Sequence, residues 1–158
     1  MGELFTAQLE NLAPQHELGL TKLFLALCKN GDDKFFYPHP LTKEEARRLC
    51  RYVGLDQYLV ATVNGRILGY GMLRGWDEGY KIPSLGLATH PEVRGQGLGN
   101  FLMSSLIQKA CSYKASKLRL TLDARRGRFI KFCARHGFHF SPIGANRLLG
   151  MLDLLKLR

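Results

Sequence analysis

Between Ser84 and Ala110 the chain reads as a strand, a glycine-rich turn and a helix, and the turn carries the residue types that hold an anion. Leu85, Leu87 and Ala88 form an apolar run that His90-Pro91 ends, because proline removes a ladder donor. Gly95, Gly97 and Gly99 then alternate, so the backbone turns tightly with no side chain in the way. Leu98, Phe101, Leu102, Ser105, Leu106 and Lys109-Ala110 recur at three- and four-residue spacing, which is a helical rhythm. Gly97 to Asn100 therefore make the first helical turn, whose amides have no intrahelical partner. These amides, the positive end of the helix dipole and the charge of Arg94 at the rim suit a phosphate or pyrophosphate.

The spacing is Gly-x-Gly-x-Gly rather than Gly-x-Gly-x-x-Gly, and no acidic residue stands at the ribose-reading distance of a dinucleotide fold. No Gly-Lys-Ser or Gly-Lys-Thr follows that would mark a nucleoside triphosphate loop. What remains is Arg94-x-x-Gly97-x-Gly99, placed directly after a strand and opening a long helix.

The elements around this turn belong to a chain of 158 residues, the length of one ordinary domain, with 46% hydrophobic residues. A single domain over residues 1–158 is expected. No apolar run approaches a membrane span, and Met1-Gly2-Glu3-Leu4 lacks the basic-then-apolar layout of a secretion signal, so a cytoplasmic protein without a membrane partner is expected. Cys28, Cys50, Cys111 and Cys133 stand far apart with no ligand rhythm, which argues against a disulfide framework or a bound metal. The net charge of +10 raises nucleic acid as a rival partner. The basic cluster of Arg125, Arg126, Arg128, Lys131 and Arg135, however, is interleaved with the apolar Phe129, Ile130, Phe132 and Cys133, which suits a helix edge near an anionic cofactor. The strands also lack base-stacking aromatics on a basic sheet, which weighs against nucleic acid.

In chain order, residues 3–10 alternate as a first strand, and Pro14 opens a helix with an apolar stripe at Leu20, Leu23, Phe24, Leu27 and Cys28. Residues 32–40 form a loop holding Phe35, Phe36, Tyr37 and His39, read either as a lid packed on the core or as an acceptor-binding wall. Thr42-Lys43-Glu44-Glu45 predicts a capping box, and Ala46, Leu49, Cys50 and Val53 a buried helix face ending at Gly54. Residues 57–63 and 66–73 flank Asn64-Gly65, a hairpin signal. A polar, aromatic connection, Arg74 to Tyr80, leads to a strand over 82–89. After the central helix come a strand over 117–122, a helix over 127–136 ended by Gly137, and a final strand pair over 138–142 and 147–155, where Leu148, Leu149, Met151, Leu152 and Leu155 also fit a helix.

From about residue 4 to about residue 155 this order resembles the fold of the GNAT acetyltransferase superfamily, and Arg94-x-x-Gly97-x-Gly99 resembles its acetyl-coenzyme A signature. The segment Arg126 to Phe138 is similar to a second family helix, Asn-x-x-Ala-x-x-Leu-Tyr-x-x-x-Gly-Phe. Here Gly137-Phe138 match, while Arg126 replaces the Asn, Phe129 the Ala and Cys133 the Tyr. The resemblance implies an α/β fold of α+β type, with a mixed, mostly antiparallel twisted sheet of about seven strands. About four helices would flank it, and it would be splayed at the central strand.

The same resemblance implies acetyl transfer from acetyl-CoA to a primary amine by direct attack, without a metal. The pantetheine arm would lie along Leu87, Ala88 and Thr89, where a backbone amide would face the developing oxyanion. Arg94, Gly95, Gln96, Gly97, Leu98, Gly99 and Asn100 would hold the pyrophosphate, with Arg126 as an ionic substitute for the missing Asn. In the family the tyrosine gives a proton to the departing thiolate. Cys133 in its place is a weaker donor, a nucleophile for a two-step route, or a packing residue. Glu78 and Asp77 are the candidate bases, with His90, His39 and His136 behind them. Tyr37, His39, Trp76, Asp77 and Tyr80 are the acceptor-binding candidates, in segments that look like those of family members acting on amino sugars attached to nucleotides. The expected partner is a small-molecule amine, and a homodimer is admitted. A protein N-acetyltransferase and a non-catalytic acyl-CoA sensor are the competing readings.

Overall fold

The computed structural model describes residues 6–36 and 38–157. The strand expected over 3–10 forms as β1, Gln8–Asn11, with residues 3–5 outside the described part. Helices α1, Glu17–Lys29, and α2, Lys43–Cys50, come next. A hairpin follows, β2 over Gln57–Val63 and β3 over Arg66–Arg74, closed by Asn64 and Gly65 at φ of 51° and 77°, the left-handed pair that such a two-residue turn requires. Then come β4, Ser84–Thr89, α3, Leu98–Ser112, β5, Lys117–Asp123, and α4, Gly127–Arg135. The strands β6, His139–Gly144, and β7, Arg147–Asp153, end the fold, so the helical alternative for the tail is not taken.

The seven strands form one sheet in the order β1-β2-β3-β4-β5-β7-β6. All pairings are antiparallel except β4 with β5, which is parallel and has one register pair, Ser84 with Arg119. Beyond that pair the two strands diverge, so the sheet is splayed at its centre. Pro142 is tolerated in β6 because that strand is an edge, and the ladder shifts register beside it.

Helices cover the two faces unequally. A Cβ on Gly69 or Gly71 would meet Leu102 or Leu106 at 2.6 or 2.9 Å, so the odd-numbered face of β3 lies under α3. Phe24 of α1 packs edge-on against Tyr70, so the even-numbered face lies under α1. α4 joins the α3 side, where Cys133 shares a core with Leu118, Leu120 and Leu122 of β5. Arg119 and Thr121, on the alternate face of β5, point away from that core.

Val53 and Glu45 depart from the buried helix face and the capping box expected of them. Val53 is 95% exposed, because α2 ends at Cys50 and the fourth member of its apolar series falls outside the helix. The capping box is half made: Thr42 Oγ1 accepts from the Glu45 amide at 3.1 Å, but the Glu45 carboxylate turns to Arg48, whose Nε donates to it at 3.1 Å.

Candidate functional site

The anion turn is built as its residue types require. Gly95 and Gly97 have φ of 78° and 96°, a region side chains rarely adopt, and a Cβ on either would meet nothing within 4 Å. The turn is thus free of side chains above both glycines. Gly97 caps α3, and its carbonyl accepts the first helical bond from Phe101 at 3.1 Å. The amides of Leu98, Gly99 and Asn100 precede that bond and lack intrahelical acceptors. Gly99 lets α4 approach, since its Cβ position lies 3.5 Å from the Phe132 ring. Asn100 Oδ1 and His136 Nε2 stand 3.0 Å apart, tying the start of α3 to the end of α4. Arg94 is held at the rim, where its two Nη atoms donate to the Asp32 carboxylate at 2.9 and 3.2 Å and one also to the Thr89 carbonyl at 3.1 Å.

Strand β4 runs into this turn with one backbone edge turned to the splay. His90 donates to the Leu68 carbonyl at 2.8 Å, which fixes the alternation: even-numbered β4 residues bond to β3, and Leu85, Leu87 and Thr89 turn their backbone groups the other way. Leu85 still lies beside the β5 contact. Leu87 and Thr89 therefore face the gap, whereas Ala88 is committed to its partner Tyr70.

The loop between α1 and α2 is a packed lid. Phe36 meets His39 edge-on at 5.0 Å, and His39 is 8% exposed. Its Nδ1 lies 2.8 Å from the Pro40 carbonyl, which can only accept, so Nε2 takes the hydroxyl proton of Tyr70 at 2.9 Å. Burial holds this imidazole below its ordinary titration range. A bound proton therefore favours the unfolded chain, and stability is expected to fall as pH drops below about 6.5, with His136, likewise lowered by burial, adding in the same direction. Urea midpoints measured at stepped pH should show this decline, and His39→Gln should reduce it. His39 is thus placed as a support of the lid rather than on an acceptor wall. Phe35 reaches across to α4, with the Arg125 and Arg126 guanidiniums 5.8 and 5.9 Å from its ring. Arg126 also lies 4.4 Å over Phe129, at the N-terminus of α4. Tyr37 lies outside the described residues.

On the face that α3 leaves open, a cleft of about 380 Å³ is bounded by Pro38, the turn after β3, and the strands β4, β5 and β7. Glu78 and Tyr80 line it, with Arg74, Arg119, Thr121 and Arg147. Trp76 and Asp77 do not. The Trp76 ring packs at 5.4 Å on Tyr113 beside α3, and Asp77 Oδ1 accepts from the Leu55 amide at 2.9 Å. Asp56, which the sequence reading passed over, accepts from the amides of Gly75 and Trp76 at 3.0 and 2.9 Å and so sets the turn that presents Glu78. An aspartate preceding a strand gives no signal that its partners lie about twenty residues on.

Cys133 is fully buried in the α3/α4/β5 core. Burial pushes its thiol up to about 12. Neither an exposed nucleophile nor a thiolate is available at this position at neutral pH.

The splayed sheet thus carries a glycine-turned helix start at the splay and a cleft on the opposite face. Residues 54–140, over half of the chain, match the acetyltransferase (GNAT) domain family, and the chain belongs to that family. An acetyltransferase of Pectobacterium atrosepticum is 38% identical over 65 residues, covering 41% of this chain and 45% of that relative; the chain thus spans under half the length of the curated relatives it matches. Among solved structures, the GNAT domain of S. lividans PAT superposes with a TM-score of 0.80 at 11% identity, covering 93% of this chain and 90% of that one. The Salmonella typhimurium yncA structure, which contains its cofactor acetyl-CoA, gives 0.71 at 18% identity over 94% of each chain. Among the described residues no helix is long and apolar enough to cross a membrane.

Proposed function

We propose that the chain is an acetyl-CoA-dependent N-acetyltransferase acting on a small-molecule amine. The observation that carries this reading is the β4 edge at Leu87 and the Thr89 amide, turned to the gap while the Thr89 carbonyl is held by Arg94, running directly into the side-chain-free turn at Gly95 and Gly97. The donor, acetyl-CoA, supplies an activated thioester. Its pyrophosphate suits the first-turn amides of α3, with Gln96 and Arg94 at the rim, and its amide-bearing arm suits the β4 edge as an added strand would. Arg126 offers a charge at the α4 side of the same gap.

In the reaction the acceptor nitrogen forms a bond to the acetyl carbon and the carbon–sulfur bond breaks; of the two protons the ammonium gives up, one passes to a base or solvent before attack and the other leaves the nitrogen afterwards and ends on the departing sulfur. The amide of Leu87 or Thr89 opposes the charge that gathers on the acetyl oxygen. Glu78 takes the amine proton, being the one carboxylate among the described residues that bound the cleft. Cys133 takes no part. A thiolate is a far weaker base than an alkoxide and departs without a dedicated acid. For the acceptor itself, an amino sugar, free or on a nucleotide, matches the cleft volume and the exposed ring of Tyr80.

The test is release of free thiol from acetyl-CoA on adding a panel of primary amines. Glu78→Gln is expected to lower turnover about 100-fold near neutral pH and to relieve at higher pH, where the amine deprotonates unaided. Unchanged turnover from about pH 6 to pH 9 removes Glu78 from the mechanism.

A further inference from the structure

Among the described residues the cleft is lined by three arginines and one carboxylate: Arg74, Arg119 and Arg147 against Glu78. Their placement follows from the register. Arg74 and Arg119 both pair with Ser84, from opposite sides, so all three stand on one face of the sheet. Two strand spacings separate the arginine Cα atoms by about 10 Å, and both side chains reach a shared guest between them. Thr121 stands two residues along β5 from Arg119 and opposite Leu149, which puts Arg147, two residues before Leu149 on β7, on that same face. Among the described residues no helix covers this half of the face; α3 and α4 lie behind it.

Two of these arginines have distinguishable states. Arg74 gives one Nη to the Pro38 carbonyl at 2.6 Å, which fixes its head at the cleft mouth. Arg119 sits half-buried with its Nε fully enclosed and without a hydrogen-bond partner among the described residues. The enclosed Nε is out of reach of a guest in the cleft, which meets Arg119 through the part of the side chain that lines it, and guanidinium N–H groups match carboxylate and phosphate oxygens.

Given the acetyltransferase reading, we infer that the acceptor amine carries an oxyanion, a carboxylate or a phosphate, which Arg119 binds with the help of Arg74 and Arg147, while Glu78 faces the amine end. The cleft thereby selects an acceptor with a positive and a negative pole, and rejects a neutral amine of the same shape.

The test uses matched acceptors, glucosamine 6-phosphate against glucosamine and β-alanine against its amide. The wild-type chain should favour the charged member of at least one pair by about 10- to 100-fold in kcat/KM, and which pair does so tells phosphate from carboxylate. Arg119→Gln should erase the preference by raising the acceptor KM while leaving the thermal shift with acetyl-CoA unchanged. Arg147→Gln, at an exposed position, should weaken it without touching the fold. Equal rates within both pairs, or an Arg119→Gln variant that loses acetyl-CoA binding instead, overturn the proposal. A second arm separates it from the acetyltransferase reading: inorganic phosphate at constant ionic strength should stabilise the CoA-loaded wild type and not Arg119→Gln. If phosphate stabilises only the wild type while no amine releases thiol, the oxyanion site stands and the catalytic reading falls. If phosphate acts equally on both, the site falls regardless of catalysis.

Discussion

Gly97→Glu is expected to fold and to lose acetyl-CoA binding. The space above Gly97 is open, so the new side chain has room, but φ is 96° there and a non-glycine residue at that angle costs about 1–3 kcal/mol. The larger effect is electrostatic. The carboxylate would stand at the N-cap of α3, among the amides of Leu98 to Asn100, and neutralise the positive end that an incoming pyrophosphate needs. In the unchanged chain, acetyl-CoA at 100 times its dissociation constant should stabilise by about 2.7 kcal/mol, roughly 5–10 °C for a chain of this length. The variant should melt somewhat lower and show no shift, with a far-ultraviolet spectrum like the parent's. A variant that shifts as much as the parent would remove the turn from the donor site.

Alkaline titration should unfold the protein earlier than surface charge alone explains. The Cys133 thiol is fully buried, and its value rises from 9.0 to about 12. A raised value means that the folded chain prefers the neutral thiol. That preference is fully present below about pH 9, where both states are protonated, and is lost as pH climbs from about 9 toward 12. The rise corresponds to at most about 4 kcal/mol for this one group. Cys50, pushed up to about 11, and the buried phenols of Tyr58 and Tyr70 act in the same direction. Urea midpoints at pH 8 and pH 11 should differ accordingly, and Cys133→Ala should narrow the difference while leaving turnover at pH 8 intact. Loss of turnover in that variant, with its fold retained, would return Cys133 to the reaction.

The glycine turn was legible because its geometry is local. Alternating glycines after a strand and before a helical rhythm dictate their own backbone angles, and the structure shows left-handed φ at Gly95 and Gly97. Asn64-Gly65 and the Thr42 cap are legible for the same reason. Val53 misled because helical periodicity continues in the residue pattern past the point where the chain leaves the helix at Cys50. His39 and Trp76 misled because an aromatic in a loop carries no mark of whether it faces solvent or the core; the hydroxyl of Tyr70 and the ring of Tyr113 decide that. The arginines of the cleft were the least legible. Arg119 alternates with Leu118 and Leu120 as any solvent-side residue of a strand does, and only the order β5-β7-β6, with α3 and α4 on the other face of that half, leaves its side bare.

The single register pair between β4 and β5 makes the sheet two hydrogen-bonded ladders, one of β1 to β4 and one of β5, β7 and β6, joined mainly by side chains. Leu73 and Leu85 of the first ladder share a core with Leu118 and Leu120 of the second, beneath α3. Cooperativity across that line rests on apolar contact rather than on backbone pairing. The second ladder is thus a natural unit of partial opening, and amide protection should divide along the gap, with β5, β6 and β7 exchanging as a group before β2 and β3. A donor bonded to the edge of β4 and to α3, with its charge near Arg126 at the head of α4, would bridge the two units, so filling the gap should slow exchange in the second ladder as well as in the first.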